Sequence, residues 1–294
     1  MKQRVDFRDQ ISKNKMKSYF LMVVIFFVIL ILGYVISMAT DPGYFFVIMI
    51  FAIIFSISYL LVNFYHSDKI ALKSVGAKEA KRIDYRDYHN LVEGLCIASG
   101  MPKPRLYVME SSMINAFASG RDPEHGVICV TKGALEKLER RELEGVLAHE
   151  LGHIASYDMR YMTMVAVMVG MISIISQVFL RSLWFRGRGS SNDSSKAIFM
   201  IIGIALAIIA PIVVYFVQMS ISRKREFTAD ASAVKFTRYP NGLIKALDKI
   251  GKANQSNEKK VNKALAPLFF SNPFKGAGRT HPPLEERINV LKRM

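Results

Sequence analysis

Only two cysteines, Cys96 and Cys129, occur in 294 residues, and they have no CxxC spacing. A disulfide framework is therefore not implied, and reduced structural thiols are expected. Charge is missing too, but in blocks. Ser18 to Ala39 and Tyr44 to Tyr65 each run for about twenty residues without Asp, Glu, Lys or Arg, and so do Tyr161 to Leu180 and Ala197 to Met219. Each run is long enough to cross a hydrocarbon core of about 30 Å. With 51% hydrophobic residues and a mean hydropathy of +0.21, an ordinary soluble chain is excluded. Absent as well is any Arg-rich repeat or aromatic platform that would turn the net charge of +16 into a nucleic-acid footprint. Most of the excess lies in Ser220 to Met294, with sixteen basic against six acidic residues, where a basic surface beside an anionic leaflet explains it. The expected partner is a lipid bilayer, not nucleic acid.

The four apolar runs predict four transmembrane helices in two hairpins, the first closed by Thr40-Asp41-Pro42-Gly43. Pro211 in the fourth run is tolerable in a membrane, where neighbours resatisfy the freed carbonyl. The first run is too long for a signal h-region and a second follows at once, so an anchor is expected rather than a cleaved leader. Orientation follows from basic residues near the spans. The first seventeen residues carry six basic and two acidic side chains and the first turn carries no basic one, which places the N-terminus inside. By parity, His66 to Met159 and Ser220 to Met294 are inside as well. The loop Arg181 to Lys196, with four basic residues and one Asp, opposes that count. Either it is carried across despite its charge, or the second hairpin does not fully cross; Leu183-Trp184-Phe185-Arg186 would also suit the headgroup layer.

Against that background one motif carries chemistry. His149-Glu150-Leu151-Gly152-His153 reads HExxH, and Leu143, Val146, Leu147, Leu151 and Ile154 supply a helical apolar stripe around it. Residues four apart share a helix face, so both imidazoles reach one ion while Glu150 lies beside the metal-bound water. Three protein ligands and an open fourth position lower the pKa of that water to about 7, and Glu150 can take its proton during attack on a peptide carbonyl. The third ligand is expected from Glu226 in Arg225-Glu226-Phe227-Thr228-Ala229-Asp230. Asp230, one helical turn later, is placed to accept the distal N–H of a liganding histidine.

Upstream, Asp84 to Ser99 reads as an amphipathic helix stopped by Gly100. Three strands are predicted after it, at Arg105 to Glu110, Ala116 to Ser119 and Val127 to Thr131, forming a small antiparallel sheet. An exposed edge of such a sheet can bind an extended substrate through main-chain hydrogen bonds. His66, His89 and His125 are read as surface or satisfied core histidines. The loop Ala264 to Gly278, with Phe269-Phe270, is either a flap over the cleft or a linker.

Four features recur in the order and spacing of the HtpX-type membrane metalloproteases: Asn115-Ala116-Phe117-Ala118, the HExxH helix followed by Asp158, the Glu226 to Asp230 stretch, and Thr280-His281-Pro282-Pro283 with Arg287. The chain resembles that family over nearly its whole length, and the family is similar in turn to the CAAX prenyl proteases. The resemblance implies a mainly α, gluzincin-like zinc endopeptidase of a bacterial cytoplasmic membrane, cutting misfolded or damaged membrane proteins. It implies one Zn2+ held by His149, His153 and Glu226, with Glu150 as general base. Asp158 and Asp230 would steady the ligands, although Asp158 would equally cap the next membrane helix. Asn115 and Ala116 resemble a substrate clamp on an edge strand, and His281 or Arg287 is the candidate oxyanion donor. The expected organisation is a basic N-terminus (1–17), a transmembrane hairpin (18–65), the first catalytic part (66–159), a second hydrophobic hairpin (160–219) and the second catalytic part (220–294). Processing of lipid-modified C-termini and a non-proteolytic zinc-containing chaperone are the other readings, the second disfavoured because a structural site has no use for Glu150.

Overall fold

A backbone surrounded by lipid must satisfy its own N–H and C=O groups, and the first two apolar runs do so as long helices. A computed structural model describes residues 7–38, 42–166, 223–253 and 282–294, together with Gly203 and Phe270. In it α1 spans Phe7–Met38 and α2 spans Phe45–Ser74, both long and apolar enough to cross a membrane. They pack closely at Gly33, where an added Cβ would come within 2.6 Å of the Ala52 Cβ. Phe20, Val23, Phe27 and Ile31 stay exposed at helical spacing on α1. Such a stripe is solvated by lipid tails more readily than by water.

Both helices extend past the apolar runs, α1 at its start and α2 at its end. α2 passes through one non-helical residue, His66, at φ −121° and ψ 17°, and continues to Ser74. Its last turns therefore reach into the domain that follows. The third apolar run is described only as far as Ala166, as the end of a helical stretch over 158–166. Apart from Gly203, the fourth lies outside the described residues.

The sheet corrects the sequence-based expectation. Its strands are β1 (Lys78–Glu79), β2 (Arg105–Met109), β3 (Ala116–Ser119) and β4 (Val127–Thr131), in the order β1-β2-β4-β3. β3 and β4 are antiparallel as expected, but β2 and β4 are parallel, so the sheet is mixed. β4, buried along its whole length, pairs with β2 on one side and with β3 on the other, and is covered on both faces. Once β4 lies between the others, β3 and its flanking loops become the crossover that a parallel β2–β4 pair needs. β3 is left at the edge.

Helix α3 (Arg86–Ser99) ends on Gly100 at φ 70°, followed after the sheet by α4 (Lys132–Lys137) and α5 (Arg140–Ala155). Beyond the second hydrophobic region come α6 (Arg223–Thr237), α7 (Pro240–Ala253) and α8 (Leu284–Leu291). One face of the sheet, with Leu106, Val108, Ile128 and Val130, packs on Leu91, Leu95, Leu147 and Leu247. The other face, with Phe117, Val127 and Cys129, packs on Ala71 and Leu72 of α2 and on Met162 and Ala166. Meanwhile Leu21, Ile25 and Val28 of α1 lie against Tyr161, Met164 and Val165. Fully burying a side chain of this size contributes about 1.5–3 kcal/mol, which fastens the sheet to the end of α2 and the stretch 158–166 to α1.

Candidate metal centre

Helix α5 carries His149 and His153 one turn apart, and the core holds them rigidly because Val146, Leu147, Leu151 and Ile154 are buried around them. The two Nε2 atoms face each other at 3.1 Å. Glu226, in the first turn of α6, brings Oε2 to 3.7 Å from the His149 Nε2 and Oε1 to 3.7 Å from the His153 Nε2. All three side chains are buried, with ligand atoms within 4.8 Å of one another. This close approach of α5 and α6 depends on Gly152. A Cβ there would meet the Ser232 Cβ at 3.0 Å and the Ala229 Cα at 3.3 Å, leaving α6 little room to pack.

The outer imidazole nitrogens define the tautomers. His149 Nδ1 lies 2.9 Å from Asp230 Oδ1, and His153 Nδ1 lies 3.3 Å from Asp158 Oδ2. A carboxylate only accepts, so each Nδ1 carries a proton and each Nε2 points inward, the nitrogen that would ligate a cation. Arg287 Nη2 also stands 3.2 Å from His149 Nδ1, but two donors cannot bond each other, and both are aimed at Asp230. The donor set fits zinc on simple geometry. Two nitrogens about 2.0–2.1 Å from a tetrahedral zinc lie roughly 3.3 Å apart, close to the spacing found here, and one carboxylate completes a three-ligand catalytic set with an open position.

Charge in this pocket is strongly perturbed. Burial pushes Glu150 up to about 7, with the Glu226 charge adding to it and His153, Arg287 and the Ala118 N–H opposing it. Burial and the Arg287 charge bring His149 down to about 4. Burial works against His153 as well, yet the Asp158 hydrogen bond and the Glu226 charge prevail and raise it to about 9. Nitrogens this close share one proton, which His153 holds until a cation displaces it.

The structure brings Asp158 and Asp230 behind the two histidines, one each. Asp158 begins the helical stretch 158–166, but its carboxylate turns to His153 and Ser156, whose Oγ donates to it over 2.8 Å. Arg287, one of the two candidate oxyanion donors, lies behind the ligands. It is wholly buried, donates from Nε and Nη2 to Asp230 over 2.9 and 2.6 Å, and puts Nη1 3.3 Å from Glu226. Its charge is engaged in holding two carboxylates. His281 lies outside the described residues.

Ala116 opens the edge strand β3, and Asn115 immediately precedes it. The Asn115 side chain accepts from the Ala116 N–H over 3.0 Å, and its main chain pairs with Thr131. Glu150 accepts from the Ala118 N–H, so the base carboxylate stands at the outer edge of β3. Within the loop 264–278, Phe270 alone is described. It is buried, its N–H donates to the Ala116 carbonyl over 2.8 Å, and its ring lies 4.8 Å from that of His149 and 4.7 Å from the Arg287 guanidinium. An acceptor of the edge strand is thus taken by the chain itself. The sequence leaves Phe270 in a flap or a linker, and no local pattern marks it as lining the centre.

His89 and His125 are engaged locally, with the Ala80 carbonyl and with Asp122, and His66 is exposed. Cys96 and Cys129 are buried free thiols.

A helix-borne histidine pair, a carboxylate from a second helix and a buried base at a strand edge define a metallopeptidase. Comparison with known proteins agrees. The model of Peptidase family M48 matches residues 82–294. Proteins named "Protease HtpX homolog" are similar over almost the full length: that of Thermoanaerobacter pseudethanolicus is 42% identical over 96% of this chain and 95% of its own. That of Dictyoglomus thermophilum is 41% identical over 98% and 95%, and that of Lactobacillus helveticus 37% identical over 97% and 99%. Among solved structures, S. mikatae Ste24p shares the fold with a TM-score of 0.51 at 19% identity, over 96% of this chain and 66% of that one. The chain belongs to the M48 peptidases, as an HtpX-type membrane metalloprotease.

Proposed function

We propose that this chain is a zinc endopeptidase that cuts misfolded or damaged membrane proteins at the inner surface of a bacterial cytoplasmic membrane. The observation that carries the reading is the convergence of His149, His153 and Glu226 within 4.8 Å, with both imidazoles backed by carboxylates. Zinc bound there would act as a Lewis acid, bringing the pKa of a water in the open position to about 7. The chain's own residues supply the rest. Glu150, buried beside the open position, would hold the proton taken from that water. Asp158 and Asp230 keep the histidines in the Nδ1–H tautomer, and an extended peptide would pair with the β3 edge by taking the place of the Phe270 N–H at the Ala116 carbonyl, whatever its side chains. Backbone recognition of this kind suits broad specificity.

A gluzincin-like arrangement with four spans, a single zinc and a cytoplasmic active site is the form we assign. Its membrane-proximal position is supported by the packing of α1 and of the inner end of α2 against the elements that carry the centre. Neither lipid-modified C-termini nor a chaperone role is favoured by the relatives, which are named as proteases. Metal analysis of the purified chain with a casein cleavage assay on wild type and Glu150→Gln tests the reading. We expect one zinc in both proteins and cleavage in the wild type alone; cleavage by the variant would overturn the assignment of Glu150.

A further inference from the structure

Asn14 lies near the start of α1, just ahead of the first apolar run, yet it is 2% exposed and makes contacts with residues more than 140 positions away. Its Nδ2 donates to the Ser156 carbonyl over 3.0 Å and to Asp158 Oδ1 over 2.6 Å, so both amide hydrogens are used. The other Asp158 oxygen, Oδ2, faces His153 Nδ1 at 3.3 Å and accepts from Ser156 Oγ over 2.8 Å. Asp158 is buried, and Arg225 Nε stands 3.7 Å from the oxygen that Asn14 holds. A chain of three side chains thus runs from the first membrane helix to a metal ligand.

Rotation about the last carboxylate torsion is soft, so one pinned oxygen fixes where the other points. An amide is well suited to pin it, because it donates without neutralising the charge that the imidazole N–H needs behind it. A lysine would compete for that charge, and an aspartate would repel Asp158.

We propose that Asn14 is a positioning residue of the metal centre, aiming Asp158 at His153 so that the ligand set is complete only with the inner end of α1 in place. The proposal rests on the zinc reading above. It makes the first membrane helix part of the active site as well as an anchor, and ties catalytic competence to insertion.

The test uses the full chain in detergent, with zinc affinity measured by chelator competition and Co2+ substitution read by visible absorption. Asn14→Leu keeps the branched shape and removes both donors; Asn14→Asp adds like charge. Partners behind a metal ligand typically contribute about 10–100-fold to metal affinity, and a loss in that range is expected for Asn14→Leu, a larger one for Asn14→Asp. The Co2+ spectrum should shift, and at saturating zinc kcat should fall while KM holds. Ile25→Ala, which thins the packing of α1 on Tyr161 and Val165 without touching the amide, is the control for helix docking. It should lower thermal stability and leave zinc affinity and the Co2+ spectrum unchanged. Wild-type affinity and spectrum in Asn14→Leu, or equal loosening of zinc by Ile25→Ala, would overturn the proposal. A wild type that binds no zinc would instead refute the function on which it rests.

Discussion

Replacing Glu150 with Gln should stabilise the metal-free fold as it destroys activity. The carboxyl is 2% exposed and raised from 4.5 to about 7, chiefly by burial. At about 1.4 kcal/mol per unit, keeping it ionised inside the fold costs roughly 3 kcal/mol. The pH window follows from the direction of the shift. Below about pH 4.5 the group is protonated in both states and there is no penalty. As pH rises towards 7 the unfolded chain releases the proton and the fold retains it, so stability drains away; above 7 the full penalty is present. Glutamine never ionises and its carbonyl can still accept from Ala118, so the variant escapes that loss. The melting temperature of the variant in detergent with a chelator, followed by far-UV circular dichroism, should match the wild type near pH 4.5. By pH 8 it should exceed it by roughly 6–12 °C, taking 2–4 °C per kcal/mol. Adding zinc should shrink the gap, because a nearby cation favours the carboxylate. A difference that does not grow with pH, or a less stable variant at pH 8, would refute the claim that burial of this charge is held against stability for the sake of a base.

Three other outcomes follow from the same geometry. Because His153 holds its proton up to about 9 in the absence of metal, zinc must displace it; affinity should rise about tenfold per pH unit from 6 to 8, with proton release visible by calorimetry in buffers of different ionisation enthalpy. Arg287→Met leaves Asp230 and Glu226 without their buried counter-charge, so a loss of about 3–5 kcal/mol is expected on thermal unfolding, and Lys should rescue it poorly because it lacks the fork that spans both. Gly152→Ala pushes a methyl against Ser232 and Ala229, which should cost about 1–3 kcal/mol and weaken zinc binding by displacing Glu226; wild-type affinity in that variant would show that α6 yields without moving the ligand.

What could be read from the chain alone was whatever depends on short range. The spacing of His149 and His153 places two imidazoles on one helix face wherever that helix lies, and Asp230 follows Glu226 by one turn for the same reason. The absence of charge from Ser18 to Ala39 and from Tyr44 to Tyr65 likewise determines long apolar helices, since lipid leaves the backbone no other partner. Tertiary structure alone decided how distant pieces meet. β4 came to lie between β2 and β3, parallel to one and antiparallel to the other, a pairing that the strands' own alternation does not specify. Arg287, one of two candidate oxyanion donors, faces two carboxylates because a guanidinium with no solvent must find counter-charge inside. Asn14, Asp158 and Phe270 reached the centre through contacts that no periodicity encodes, because a hydrogen bond between residues far apart in sequence exists only after packing has brought its ends together.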